Sequence, residues 1–211
     1  MLGVDLHRNV TVIRLANGDL VIHSTGPFSA EDIATITHLG RPAWLLDTLG
    51  RHDTFAKEGR AAFPTATYLA PDGFSETVGF PVGALQPKPD AWGDELDVLE
   101  VSGAPTLGEH LVFHRASRTL IVADLIFHFP PPQPLWPEIL LQLAIGREHA
   151  PGMSRPFKTA ILDRPAFEAS IAAALRWDFD RIVVGHGEVI ETGGKAKLRA
   201  ALQREGFSLP A

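Results

Sequence analysis

Short apolar runs, broken by turn-forming residues, organise the first third of the chain. Residues 10–16 and 20–24 are rich in β-branched side chains and flank Asn17-Gly18, a pair suited to a tight hairpin turn. Ser29 precedes apolar positions Ile33, Ile36 and Leu39, which recur at helical spacing, and Gly40 follows them. The pattern predicts a helix over 30–39 with Ser29 as its cap and Asp32 three residues on. Residues 42–46 form a compact apolar run, the mark of a strand buried on both faces. A loop over 47–51 leads to His52, then a helix over 53–62 ends near Pro64. Residues 66–70 read as the next strand.

Periodicity fades over 71–95, where Gly and Pro are frequent and the expectation is long loops with one weak strand. Three strands follow at 96–101, 110–115 and 119–125. The three-residue connection Ala116-Ser117-Arg118 makes the last two an antiparallel hairpin. Residues 129–137 hold too many prolines for a helix or a central strand. Helices are predicted over 138–148, over 164–176 with Asp163 as cap and Pro165 in the permissive first turn, and over 195–204. A strand at 181–184 runs into Gly185-His186-Gly187. No repeat of fixed period and no long linker interrupts this order, so one domain over 1–211 is expected. Strands alternate with helices and hairpins are added, which implies a layered α/β or α+β architecture with helices covering sheet faces.

Composition narrows the chemistry. With 211 residues, the chain is long enough to bury a substantial core without disulfides. It has no cysteine, which removes thiol nucleophiles, Cys-type zinc sites and Fe–S clusters together. Any metal must use His, Asp or Glu, and nine histidines are present. The net charge of −6 argues against sequence-independent nucleic-acid binding. No apolar run reaches membrane-spanning length and the first residues lack a signal-peptide apolar region, so a cytoplasmic location is expected.

Three residues share one context. His52 follows a buried strand, Asp124 ends the apolar run 119–123, and His186 follows the run 181–184. Loops at the carboxyl ends of strands are where α/β proteins gather ligands. Imidazole nitrogen and carboxylate oxygen suit Zn²⁺, Fe²⁺ or Mn²⁺. Two glycines beside His186 allow a sharp backbone turn. Taken singly, each residue is more simply a hydrogen-bonded structural group. His114 and His128 flank the Asp124 hairpin as candidate substitute ligands, with a surface or core role the plainer reading. Trp44 and Trp177 read as core. Trp92 and Trp136, in Pro-rich loops, are candidates to line a cleft. No phosphate-binding Gly-rich loop occurs, and Ser117 and Ser154 lack a nucleophile-elbow context.

The order of elements and several motifs resemble the metallo-β-lactamase fold superfamily, and more narrowly a branch of it with a reduced metal-binding motif. VTVIRLANGDLVIHSTGPFS resembles that family's opening hairpin. IATITHLGRPAWLLDTLGRHDTFAKEGRAAFPTATYLAP resembles its helix, strand and first metal loop. VSGAPTLGEHLVFHRASRTLIVADLIF resembles the second metal loop and the aspartate-bearing strand end, and FDRIVVGHG the terminal histidine motif. The resemblance spans about residues 9–190 and implies an α+β fold, a four-layer αββα sandwich.

It also implies a ligand set, from which this chain departs. The family's first loop carries H-x-H-x-D-H, and here Asp47, Leu49 and Arg51 stand at the first three of those positions, with His52 at the last. Ala104 replaces the histidine of Gly-His-Thr. Asp124 and His186 match directly. The resemblance therefore implies His52, Asp124 and His186 as metal ligands, with Asp47 a candidate fourth. At most one Zn, Fe or Mn ion is expected, or none, because a binuclear site needs about six or seven ligands. Arg51 is a candidate oxyanion or charge partner, or pairs with Asp47 or Asp124 in the space of a lost metal. Two functions follow. One is a metal-dependent hydrolase with a degenerate, at most mononuclear site acting on a small molecule. The other is a non-catalytic binding or interaction protein that keeps the fold without metal. A homo-oligomer is compatible with either, with 129–137 as a candidate interface.

Overall fold

The structure is a computed structural model that describes residues 8–129 and 150–210. Its first sheet holds five strands in the order β1 (Thr11–Arg14), β2 (Asp19–His23), β3 (Arg41–Leu46), β4 (Thr67–Ala70), β5 (Gly83–Ala84). β1 and β2 are the antiparallel hairpin around Asn17-Gly18, and each later pairing is parallel. The parallel crossovers carry α1 (Ala30–Leu39), α2 (Ala56–Ala62), preceded by a 3₁₀ turn at Asp53–Phe55, and α3 (Phe74–Val78). The second sheet runs β6 (Leu96–Glu100), β7 (His110–His114), β8 (Thr119–Ile121), β9 (Arg181–Val183), with only β8–β9 parallel. α4 (Arg155–Ala160), α5 (Arg164–Ala174) and α6 (Gly194–Arg204) accompany it.

Side-chain alternation gives each sheet apolar side chains on both faces. Leu20, Ile22, Leu45 and Tyr68 face the helices of the first half and pack with Ile36, Phe63 and Phe74. Their neighbours Val21, Leu46 and Leu69 face the other way and meet Val112 and Ile121 of the second sheet. Leu111, Phe113, Leu120 and Ile182 face outward again, against Phe157, Phe167, Ile171 and Leu198. Three apolar layers thus separate four structural ones, in the order helices, sheet, sheet, helices, which is the expected α+β sandwich.

Local signals match where chemistry is local. Ser29 caps α1 in a full capping box with Asp32, and Asp163 caps α5 with Pro165 in its first turn. Three expectations need correction. The 71–95 stretch contains α3 as well as the weak strand β5. Trp92 lines no cleft: it is fully buried between the sheets, edge-on to Trp44 at 5.6 Å. The strand expected over 119–125 stops at Ile121. The helix over 138–148, Trp136 and all of 129–137 except Phe129 lie outside the described residues. No helix of the described residues is long and apolar enough to cross a membrane.

Candidate metal centre

The parallel strands bring their carboxyl ends to one edge of the sandwich. From β3 the chain enters the loop that ends at His52, from β8 it reaches Asp124, and from β9 it reaches His186. His52 Nε2 lies 3.2 Å from Asp124 Oδ1, and His186 Nε2 lies 3.5 Å from the same oxygen. The two imidazoles meet edge to face, ring centres 5.5 Å apart. One ligand atom from each of the three residues falls within 4.8 Å of the others. His52 is buried, while Asp124 and His186 are partly exposed. Burial pushes the Asp124 carboxyl up, but the His52 hydrogen bond and the electrostatic influence of His52, His186 and Arg8 outweigh it, so its pKa lies below the ordinary value.

The glycines beside His186 are required by close backbone approach. A Cβ at Gly185 would fall 2.3 Å from the Ala123 carbonyl oxygen, and one at Gly187 2.1 Å from that of His128. Gly187 also has φ +97°, which side chains disfavour. His186 is thus seated against both the Asp124 turn and the 127–128 segment.

Asp47 stands outside the convergent group. Its fully buried carboxylate accepts hydrogen bonds from the Tyr68 hydroxyl, from Thr25 Oγ1 at 3.1 Å and from Arg8 Nη2 at 3.3 Å. Burial raises its pKa, against the pull of those donors and of His52. Burial and the Asp47 charge likewise push the Tyr68 hydroxyl up. Arg51 pairs with neither Asp47 nor Asp124. It is exposed, and the cation beside Asp47 is Arg8. Arg8 Nε also donates to Ser24 Oγ at 2.8 Å and Nη2 to the His52 carbonyl at 3.0 Å. The chain at Arg8 bridges antiparallel to His186, and the Asn9 side-chain amide donates to the carbonyls of Val184 and Gly187.

Neither substitute histidine joins the group. His114 sits at the far end of β7, 2.7 Å from Ser117 Oγ, and His128 Nδ1 meets the Glu188 carbonyl at 3.0 Å. Leu49 and Ala104, at the expected histidine positions, are buried in the apolar core.

Three neighbours escaped the sequence reading. His23, fully buried at the end of β2, shares a 2.8 Å hydrogen bond with Thr48 Oγ1. Burial, then the nearby His52 and Arg8, lower its pKa to about 3. The criterion applied to Asp124, an apolar run that stops at a titratable group, fits His23 equally well. Glu109 is also buried, with its pKa pushed up to about 8 by burial and by Asp124, against three backbone hydrogen bonds. Its signal was a lone acid at the mouth of an apolar strand. Arg8 had no local signal at all.

No family model matches the chain, and no curated protein sequence matches it. Solved structures do. A metallo-β-lactamase from Hirschia baltica superposes with a TM-score of 0.59 at 13% identity, covering 97% of this chain and 87% of that one. The metallo-β-lactamase FIM-1 from Pseudomonas aeruginosa, in its mono-zinc form, gives 0.58 at 14% identity, covering 95% and 84%. The Flv1 flavodiiron core from Synechocystis sp. PCC6803 gives 0.61 at 12% identity, covering 93% of this chain and 52% of that one. With two sheets back to back, helices on both outer faces and a His/Asp group at one edge, this protein has the metallo-β-lactamase fold.

Proposed function

We propose that the protein is a metal-dependent hydrolase with a mononuclear site formed by His52, Asp124 and His186. The observation that carries this is the convergence of one carboxylate oxygen and two imidazole nitrogens within 4.8 Å. Ligand atoms on a tetrahedral ion with bonds of about 2.0–2.1 Å stand about 3.4 Å apart. The 3.2 Å and 3.5 Å separations around Asp124 Oδ1 match that spacing. Two imidazoles and one carboxylate suit Zn²⁺, Fe²⁺ or Mn²⁺, and three protein ligands leave a position open to substrate. Bound there, such an ion supplies Lewis acidity toward an ester, lactone, amide or phosphoester oxygen.

The chain's own residues define the rest of the centre. His52 and His186 flank the Asp124 carboxylate on either side. Arg8 fixes the first loop by gripping the His52 carbonyl, Asp47 and Ser24. Because Asp47 is committed to Arg8, Thr25 and Tyr68, and Leu49 and Ala104 are apolar, this reading gives the site one ion. Small-molecule hydrolysis in the cytoplasm is the setting proposed. Elemental analysis of protein grown with zinc, iron and manganese tests it. About one ion per chain is expected in the wild type, and none in Asp124→Ala. A wild type without metal above background refutes the proposal in favour of a metal-free binding protein.

A further inference from the structure

Asp124 follows a strand that ends early, and the cause lies just ahead of the neighbouring strand β7. β8 leaves the ladder after Ile121, so the next amides need other acceptors. Val122 N–H still reaches the Val183 carbonyl at 3.0 Å. The three N–H groups after it, on Ala123, Asp124 and Leu125, all donate to one side chain, that of Glu109. Ala123 and Leu125 N–H meet Oε1 at 3.0 Å and 3.1 Å, and Asp124 N–H meets Oε2 at 2.9 Å. Successive amides directed at one acceptor group form a nest. Ala123 and Leu125 are fully buried and Glu109 nearly so, so the carboxyl stands where an ordinary strand end would use water.

Glu109 is itself held on both sides. Its carbonyl accepts from Val101 N–H at 2.8 Å, and the next amide, His110 N–H, donates to the Thr48 carbonyl at 2.7 Å. The carboxyl therefore links the loop that carries His52 to the turn that carries Asp124.

We infer that Glu109 is a positioning residue: by binding the three amides of residues 123–125 it aims the Asp124 carboxylate between His52 and His186. The inference rests on the metal-site reading above. Glu109 touches neither metal nor substrate in this arrangement and acts through the backbone of Asp124. Its two oxygens divide the work. Oε1 satisfies the two flanking amides, whereas Oε2 serves Asp124 alone.

That division makes Glu109→Gln a selective probe. The glutamine oxygen can keep Ala123 and Leu125, but its NH2 group then faces the Asp124 N–H, donor against donor. Cobalt(II) titration of the full chain is expected to show affinity weakened by roughly 10- to 100-fold, as for other groups that orient metal ligands. Val112→Ala, a truncation on the adjoining strand β7 facing the inter-sheet core, serves as the stability control, with affinity within about twofold of wild type. Amide hydrogen exchange, which needs no metal, is expected to quicken about tenfold or more at 123–125 in Glu109→Gln, while the β7–β8 amides stay protected. Glu109→Asp keeps the carboxyl group but shortens the reach, and gives the same pattern should the glutamine variant fold poorly. Wild-type cobalt affinity in both Glu109 variants, or equal weakening in Val112→Ala, overturns the inference. Unchanged exchange at 123–125 overturns it as well. A wild type that binds no cobalt refutes the metal reading instead, and the exchange data still decide whether Glu109 holds the turn.

Discussion

His23 is fully buried and neutral in the native state, and its pKa is lowered from 6.5 to about 3. In the unfolded chain the ring takes up a proton below pH 6.5, whereas the folded chain resists until near pH 3. Between those values the unfolded state binds more protons, so stability falls as the pH falls. Integrating from pH 7 to pH 5 gives a loss of about 2 kcal/mol from this one residue at 25 °C. A folded value one unit higher would leave that figure almost unchanged, because pH 5 still lies above it. Glu109 acts in the opposite sense. Its raised pKa means that the native state holds a proton which the unfolded chain releases above about 4.5, so acidification favours folding. The wild-type profile alone therefore mixes opposed slopes. His23→Gln separates them, since glutamine can retain a hydrogen bond to Thr48 and does not titrate. Urea unfolding of both proteins at pH 7, 6 and 5 is the assay. The stability difference, wild type minus variant, is expected to shrink by about 2 kcal/mol over that range. A difference constant within about 0.5 kcal/mol, well below the linkage value, would refute the claim that burial keeps His23 neutral.

Arg8→Met removes the cation from a fully buried Asp47 carboxylate and should cost roughly 3 kcal/mol, with Asp47→Asn in the same chain recovering more than half of it in chemical denaturation. Gly187→Ala combines a left-handed φ with a Cβ directed into the His128 carbonyl, so a loss of more than about 2 kcal/mol is expected, together with weaker metal binding through His186. A thermal shift no larger than that of a Gly18→Ala change, which meets a positive φ but no atom, would show that close approach at Gly187 does not matter.

Much of the fold was legible because its determinants are local or periodic. Asn17-Gly18 specified a hairpin, Ser29 and Asp163 specified helix starts, and continuous apolar runs specified strands buried on both faces. His52, Asp124 and His186 were legible too, since each stands where an apolar strand gives way to a loop. The end of β8 was not. Val122 and Ala123 are as apolar as the strand before them, and the amides beyond the ladder's end go to the Glu109 carboxyl fourteen to sixteen positions upstream. Arg51 and Arg8 show the same limit. Arg51 is adjacent to His52 in sequence yet exposed, whereas Arg8, far away in the chain, is carried to Asp47 by its pairing with the His186 strand end. Trp92 reads as a loop residue and is a core residue, because only the assembled sheets create the space it fills.

By itself, then, the sequence determined most of the strands and helices, the layered class, and three strand-end side chains that converge at one edge. The tertiary structure decided the partners of the buried acids near the site: Arg8 for Asp47, and three backbone amides for Glu109. Hydrophobic periodicity is written along the chain, one residue against the next. The pairing of a buried charge depends on desolvation and on distances of about 3 Å across strands, and those exist only once the sandwich has closed.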